Sequence, residues 1–343
     1  MTDSSKPFLD ILSRANRVLV TTHVRPDGDA VGTAVAMALG LAERKIESEV
    51  LLLSKLPPKF SFLFDEQNVP LIVADGSYPE PFSLDRFDTL LVVDTATWSQ
   101  LPGLKDVFSN WKNPKLVLDH HLTQEDWADA KYVKTDAAAA GEIAAELLAD
   151  WGVKFTVPIA TALFLAIASD TGWFQFANTR PQTMQLAAQL MQAGVNMDRL
   201  YQTLYQNETA QRLLLQTRAQ QSMELLSDQR LAVMRVSKPD FQQTRAAVSD
   251  TENFINVPMQ IRSVEVSVLL VEPTDGGQVR VSLRSKGSVD VAHFAEQFGG
   301  GGHARAAGLK LNGSLSAVHD RVVAAMIQTL STTPRPVPKK EIK

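Results

Sequence analysis

The sequence predicts an α/β protein with two domains: an N-terminal, mainly parallel β-sheet flanked by helices and a smaller C-terminal α/β domain, joined by a long helical connection. Three observations predict it. Apolar runs (RVLVTT, SEVLLL, TLLVV and KLVL) alternate with helical patterns as far as Asp119, the order that builds parallel sheets. Helical patterns alone follow from Ala137. Strand signals then return at 230–236, 264–271 and 279–284, where SVEVSVLLVEP and QVRVSLRS flank Thr274-Asp275-Gly276-Gly277 as a hairpin.

Taken in order, residues 8–14 should form a short helix leading into a strand at 17–22. The stretch AVGTAVAMALGLAERK, 30–45, reads as a helix with small residues on its packed face. Further strands are expected at 48–53, 88–93 and 115–118. AAAAGEIAAELLADWG, PIATALFLAIASD and PQTMQLAAQLMQAG read as successive helices, and 197–226 as a long, mostly polar helical stretch. The domains are therefore expected at 1–196 and 228–330, with a helical linker at 197–227 and a disordered tail at 331–343.

The 343 residues leave room for two cores, and 45% hydrophobic with 21% charged residues is ordinary for a globular chain. A net charge of −4 argues against strong nonspecific binding of duplex DNA, because phosphate contacts need a cationic surface. It leaves room for a small phosphorylated ligand met by a few local cations. The absence of cysteine excludes disulfides and thiolate metal sites. The N-terminus lacks the pattern of a secretory signal, and no apolar run approaches the about 20 residues of a membrane span. A soluble cytoplasmic protein with no membrane partner is the expectation.

Four polar clusters carry the chemistry. They are His23-Val24-Arg25-Pro26-Asp27-Gly28-Asp29, then Asp94, then Asp119-His120-His121, then Asp170, each following an apolar run. Charges at the ends of buried elements are costly unless compensated, and a pair of divalent cations compensates them economically. In parallel sheets ligands bind beyond the carboxyl ends of strands, where the first three clusters fall. Asp27 or Asp29 alone reads equally as a helix cap; the glycine between them would let the backbone turn and the carboxylates diverge. Asp94 could bridge two ions held about 3.5–4 Å apart. Adjacent side chains in an extended segment point opposite ways, so one of His120 and His121 should be a ligand and the other should face substrate or a supporting partner. Oxygen and imidazole donors without sulfur suit Mn²⁺, with Mg²⁺ or Co²⁺ as alternatives.

The second domain carries FGGGGHARAAG, 298–308. Consecutive glycines can converge backbone N–H groups on an anion, and His303, Arg305 and Arg284 add donors, so a phosphate or nucleotide site is expected there.

Together, HVRPDGDAVGT, VVDTA, LDHH and ASDTG resemble the four metal motifs of the DHH phosphoesterase family, and VSLRSKG with GGGGHARAAG resembles its type 1 DHH-associated domain. Size and arrangement are similar to the nano-RNase branch that also acts as pAp phosphatases. The resemblance implies His23 and Asp27 on one ion, Asp29, His120 and Asp170 on a second, and Asp94 bridging. It implies His121 as a contact to the scissile phosphate or an acid, with Asp119 orienting the histidines. Arg284, Gly300, Gly301, Gly302, His303 and Arg305 would bind substrate phosphates and base. The implied activity is hydrolysis of short RNA oligonucleotides to mononucleotides, and of pAp to AMP, by in-line attack of a metal-bridging hydroxide. A cyclic- or linear-dinucleotide phosphodiesterase and a catalytically inactive nucleotide-binding regulator are the rival readings. A homodimer is a further implication. Two departures stand out: ENFINVP at 252–258 replaces the more usual Gly-Leu-Val-Asn wording, and Gln175 carries no assigned role.

Overall fold

The computed structural model describes residues 5–75, 83–109 and 111–334. The chain divides into two compact units, Met1–Asn207 and Glu208–Lys343.

The first unit opens with α1 (Lys6–Leu12), β1 (Arg17–Thr21), α2 (Gly28–Glu43), β2 (Glu47–Leu52), α3 (Phe62–Asp65) and β3 (Leu71–Val73). It continues through β4 (Thr89–Val93), α4 (Leu104–Ser109), β5 (Lys115–Asp119) and β6 (Ala130–Val133). The strands form one parallel sheet in the order β3-β2-β1-β4-β5-β6. Val18, Leu19 and Val20 of β1, like Leu90 to Val93 of β4, are buried throughout, as expected of strands covered on both faces. The strand order reverses between β1 and β4, which leaves a crevice at their carboxyl ends. The edge strands β3 and β6 are the two that the sequence pattern did not announce; with three and four residues they are too short to show a period.

Helices α5 (Ala140–Asp150), α6 (Val157–Asp170), α7 (Pro181–Gln192) and α8 (Met197–Tyr205) complete this unit. Helix α2 lies tightly against α6. A Cβ on Gly28 would overlap the Ser169 side chain, and one on Gly32 would collide with the Ala162 carbonyl. The small residues of α2 thus allow the two backbones to approach. Gly28 has no positive φ, so it serves this close packing rather than the tight turn expected of it.

The 197–226 stretch is helical in two pieces. Helix α8 ends before Thr209, whose hydroxyl accepts from the Arg212 N–H and caps α9 (Ala210–Gln221), a geometry that starts a new helix instead of extending the old one. Strand β7 (Glu224–Leu226) follows at once.

The second unit continues with β8 (Leu231–Val236), α10 (Lys238–Thr244), β9 (Val266–Val271), β10 (Val279–Ser285), α11 (Val291–Glu296), β11 (Gly301–His303), β12 (Ala306–Leu311) and α12 (Leu315–Thr332). Its sheet has the order β11-β12-β10-β9-β8-β7, with only β8 and β9 parallel. The expected β9–β10 hairpin is present, with Val281 opposite Leu270. One face is closed along its length: Val281, Leu283 and Leu309 pack with Phe294, Val322 and Met326. The other face is closed only near β8 and β9, where Met234 and Leu269 meet Leu215, Phe241 and Phe254. Over β10 and β12 that second face is open. Of the expected tail, residues 335–343 lie outside the described ones, and Ser331 and Thr332 still belong to α12.

Candidate metal centre

The strand ends bring the polar clusters together. His23 lies just beyond β1, Asp94 just beyond β4, Asp119 ends β5 with His120 and His121 following, and Asp170 closes α6. Asp27 caps α2, accepting from the Asp29 and Ala30 N–H groups at 3.0 and 3.1 Å. The cap and the metal-facing readings of this loop therefore coexist.

Two triads emerge. Donor atoms of His23, Asp27 and Asp94 lie within 4.8 Å of one another, and so do those of Asp29, His120 and Asp170. Asp94 links them. Its Oδ2 is 3.4 Å from His23 Nε2, and its Oδ1 is 3.4 Å from His120 Nε2. A third grouping joins Asp94, His120 and His121, so both adjacent imidazoles come close to this carboxylate, with their rings 4.5 Å apart.

The imidazoles are oriented from behind. His23 Nδ1 donates to the Val24 carbonyl at 3.0 Å, and His120 Nδ1 to the Ala137 carbonyl at 3.3 Å. A carbonyl only accepts, so in the neutral rings the lone pair sits on Nε2 and points at Asp94. Two lone-pair atoms facing each other at 3.4 Å repel unless a positive charge lies with them. Asp94 Oδ1 is moreover buried without a hydrogen-bond partner. Such an orphaned carboxylate oxygen is costly in a dry site. The donor set of oxygens and imidazoles fits a divalent cation.

In the metal-free protein, protonated histidine would supply that charge. Burial pushes His23 down, but Asp94 beside it outweighs burial and raises it to about 9. His120 goes up to about 10 by the same balance, with Asp29 adding to the effect. Burial pulls Asp94 upward, yet the two histidines hold it below the usual carboxylate range. Asp170 rises to about 6 through burial and the charge of Asp94. Asp29 rises well above its ordinary value, chiefly through burial and then through Asp94. Clustered carboxylates that push one another upward mark a site built for added positive charge.

Asp29 shows support that the sequence pattern did not announce. Its oxygens accept from the Ala140 and Gly141 N–H groups at the start of α5, at 2.6 and 2.9 Å, and from Thr33 Oγ1 at 3.0 Å. A helix N-terminus favours a carboxylate. The alanine-rich run is therefore a platform as well as a helix. Asn178 was equally silent in the sequence: its amide donates to the Ala138 and Asp170 carbonyls and ties the segment after Asp170 to that platform.

Asp119 stands behind the histidine pair. Its Oδ1 accepts from the His120 and His121 N–H groups and, at 2.7 Å, from His121 Nδ1. Gln124, unassigned from sequence, donates to its other oxygen at 2.6 Å. The Asp119 contact raises the His121 pKa and leaves Nε2 of a 54% exposed side chain to face a ligand. An open depression of about 770 Å³ adjoins the cluster, walled by Thr95, Thr97, Ser99 and Gln100. Asp94 takes a left-handed backbone, φ 60°, a strained geometry for a non-glycine residue that aims its carboxylate into the cluster.

The second group of expected residues lies in the other unit. The glycine tract is in part a paired strand, where the sequence suggested a loop. Gly301–His303 is strand β11, paired with Ala306–Gly308 of β12. Gly300 and Gly302 let the chains touch, because a Cβ on either would collide with the Gly308 or Ala306 carbonyl, and Gly302 has φ 146°. Arg284 is opposite Ala306, which is opposite His303, so Arg284 and His303 share one face of the sheet. Arg305 covers Gly287. The variant segment ENFINVP buries Phe254 and Ile255 in the core.

Residues 17–167 match the N-terminal domain of the DHH family, and residues 228–332 match the DHHA1 domain. The chain belongs to the DHH phosphoesterase family. It is 29% identical over 92% of its length to the bifunctional oligoribonuclease and PAP phosphatase NrnA of Thermus thermophilus, covering 90% of that protein. It is 26% identical over 88% of its length to the protein of the same description from Bacillus subtilis, covering 91% of it. Among solved structures, an exopolyphosphatase-related protein from Bacteroides fragilis shares the fold at TM-score 0.80 and 22% identity, over 96% of this chain and 100% of that one. Among the described residues of this DHH-family chain, no helix is long and apolar enough to cross a membrane.

Proposed function

We propose that the protein is a Mn²⁺-dependent phosphoesterase that shortens RNA oligonucleotides of a few residues to mononucleotides and converts pAp to AMP. The observation that carries the metal-dependent part is Asp94, whose two oxygens each face the Nε2 of a different histidine. The substrate class is supported by the two relatives described as oligoribonuclease and PAP phosphatase.

In this reading His23, Asp27 and Asp94 would hold one ion, and Asp29, His120, Asp170 and Asp94 would hold the other. Two divalent ions, when bound, lower the pKa of water and neutralise phosphoryl charge. The chain supplies the rest. Val24 and Ala137 carbonyls hold the imidazoles in their ligating orientation. His121 Nε2 contacts the reacting phosphate or protonates the leaving oxygen, with Asp119 as its positioning residue. Arg284, His303, Arg305 and Gly300 to Gly302 of the DHHA1 unit bind phosphates and base of the substrate.

The experiment is product release by the purified protein with Mn²⁺ on pAp, RNA of two to five nucleotides, a long single strand, a cyclic dinucleotide and pyrophosphate. Turnover of pAp and the short RNAs with the long strand resistant is expected. Preference for the cyclic dinucleotide would move the protein to dinucleotide turnover, and no turnover with metal bound would make it a nucleotide-binding regulator.

A further inference from the structure

The open face of the second sheet carries cations along β10 and β12, with small residues between them. Cross-strand partners in an antiparallel pair project to the same face. Arg280 is directly opposite Lys310, Ser282 opposite Gly308, and Arg284 opposite Ala306. The buried residues between them, Val281, Leu283 and Leu309, point the other way into the core. Arg280 and Lys310 are exposed, and Gly300 and Gly308 line a depression of about 600 Å³ beside them.

Two features are unexplained by folding. Like charges directly opposite each other on neighbouring strands are destabilising, and among the described residues neither Arg280 nor Lys310 has an acidic partner. The depression beside Arg280 and Lys310 is lined by Ser282, Gly300 and Gly308, whose small size leaves room for a ligand. Arg280 and Arg284 stand four residues apart on one strand, about 13 Å. That is too far for a single phosphate to bridge and suits non-adjacent phosphates of one chain.

We propose that Arg280 and Lys310 form a second phosphate subsite, separate from the Arg284–His303 end, that holds the backbone of an oligonucleotide several residues long. This rests on the short-RNA reading above and deepens it. The shared chemistry is a phosphate chain, which RNA or linear polyphosphate could provide, and RNA is the source the proposal assigns.

The test uses the full-length, Mn²⁺-loaded protein and hydrolysis-resistant phosphorothioate RNAs of two and eight nucleotides, titrated across salt. The Arg280→Gln/Lys310→Gln protein should bind the eight-nucleotide RNA about tenfold more weakly. Its log K against log salt slope should shrink by about 1.4, about 0.7 for each single-strand phosphate that is no longer neutralised. Dinucleotide affinity should move less than about twofold. An unchanged slope and affinity for the longer RNA overturns the subsite, as does an equal weakening on both lengths. A charge reversal, Arg280→Glu, should enlarge the length-dependent loss of affinity if the subsite exists. Linear polyphosphate is the third arm; weakening confined to it overturns RNA as the occupant. If the unmodified protein turns over neither pAp nor short RNA, the functional reading fails, while the binding slopes still judge the subsite.

Discussion

The N-terminal sheet concentrates charge at one point, and the C-terminal sheet spreads it over a face. In the first, six parallel strands are covered on both sides, so their ends are the only places where polar groups meet without crossing the core. The result is an acidic cluster that needs added positive charge. In the second, antiparallel pairing leaves every other residue of β10 and β12 facing outward, and Arg280, Arg284 and Lys310 occupy those positions. The contrast teaches that a metal site needs convergence, which strand ends at a topological switch provide. A grip on a phosphate chain needs periodic spacing, which a sheet face provides.

The comparison breaks most visibly at Asp94. Asp94→Ala should strip bound metal and lower kcat by more than the about 10–100-fold typical of losing an outer partner; metal content and turnover measured together check this. Unchanged turnover would sink the shared-ligand assignment. Asp119→Asn tests support without ligation. It should retain metal and lower kcat by about 10–100-fold, with the change seated in the pH profile of His121. The same experiment on the other sheet sharpens the contrast: Arg284→Ala should raise KM about tenfold with metal content intact. If it lost metal, the division of labour between the sheets would be wrong.

Smaller effects probe the scaffold and the charge balance. Gly28→Ala forces a Cβ onto Ser169 and should destabilise by about 1–3 kcal/mol, read by denaturant unfolding. Ser169→Gly in the same chain should restore part of the stability. The metal-free protein should also lose stability as pH rises. His23 and His120 are raised to about 9 and about 10 in the fold, so their contribution is full below about 6.5 and fades as pH climbs through those values. Asp170, raised to about 6, contributes in the same direction at lower pH. Ligation needs neutral imidazole, so metal affinity should rise over the same window, and saturating Mn²⁺ should flatten the Tm trend. A Tm that rises with pH in the metal-free protein would contradict the charge balance described here.

Much of the site was legible because its parts sit at boundaries of local pattern. The runs ending at His23, Asp94 and Asp119 announce strand ends without knowledge of their neighbours, and Asp170 announces the end of α6. The supporting groups were not legible. Ala140 and Gly141 act through backbone N–H groups, Val24 and Ala137 through carbonyls, and side-chain identity does not encode such contacts. Gln124 and Asn178 are ordinary loop residues until Asp119 and Asp170 are placed beside them.

The sequence by itself marked the candidate donor set, the attachment of His23, Asp94 and His120 to strand ends, the lack of sulfur ligands and the resemblance to the DHH family. Periodicity and residue chemistry are local, and they suffice for those conclusions. Tertiary structure alone decided that β1 lies next to β4, so that Asp94 stands between His23 and His120. It alone set Asp29 on the start of α5, made the glycine tract a paired strand and put Arg280 opposite Lys310. Strand order, register and backbone approach come from packing between segments remote in the chain, and no local pattern records them.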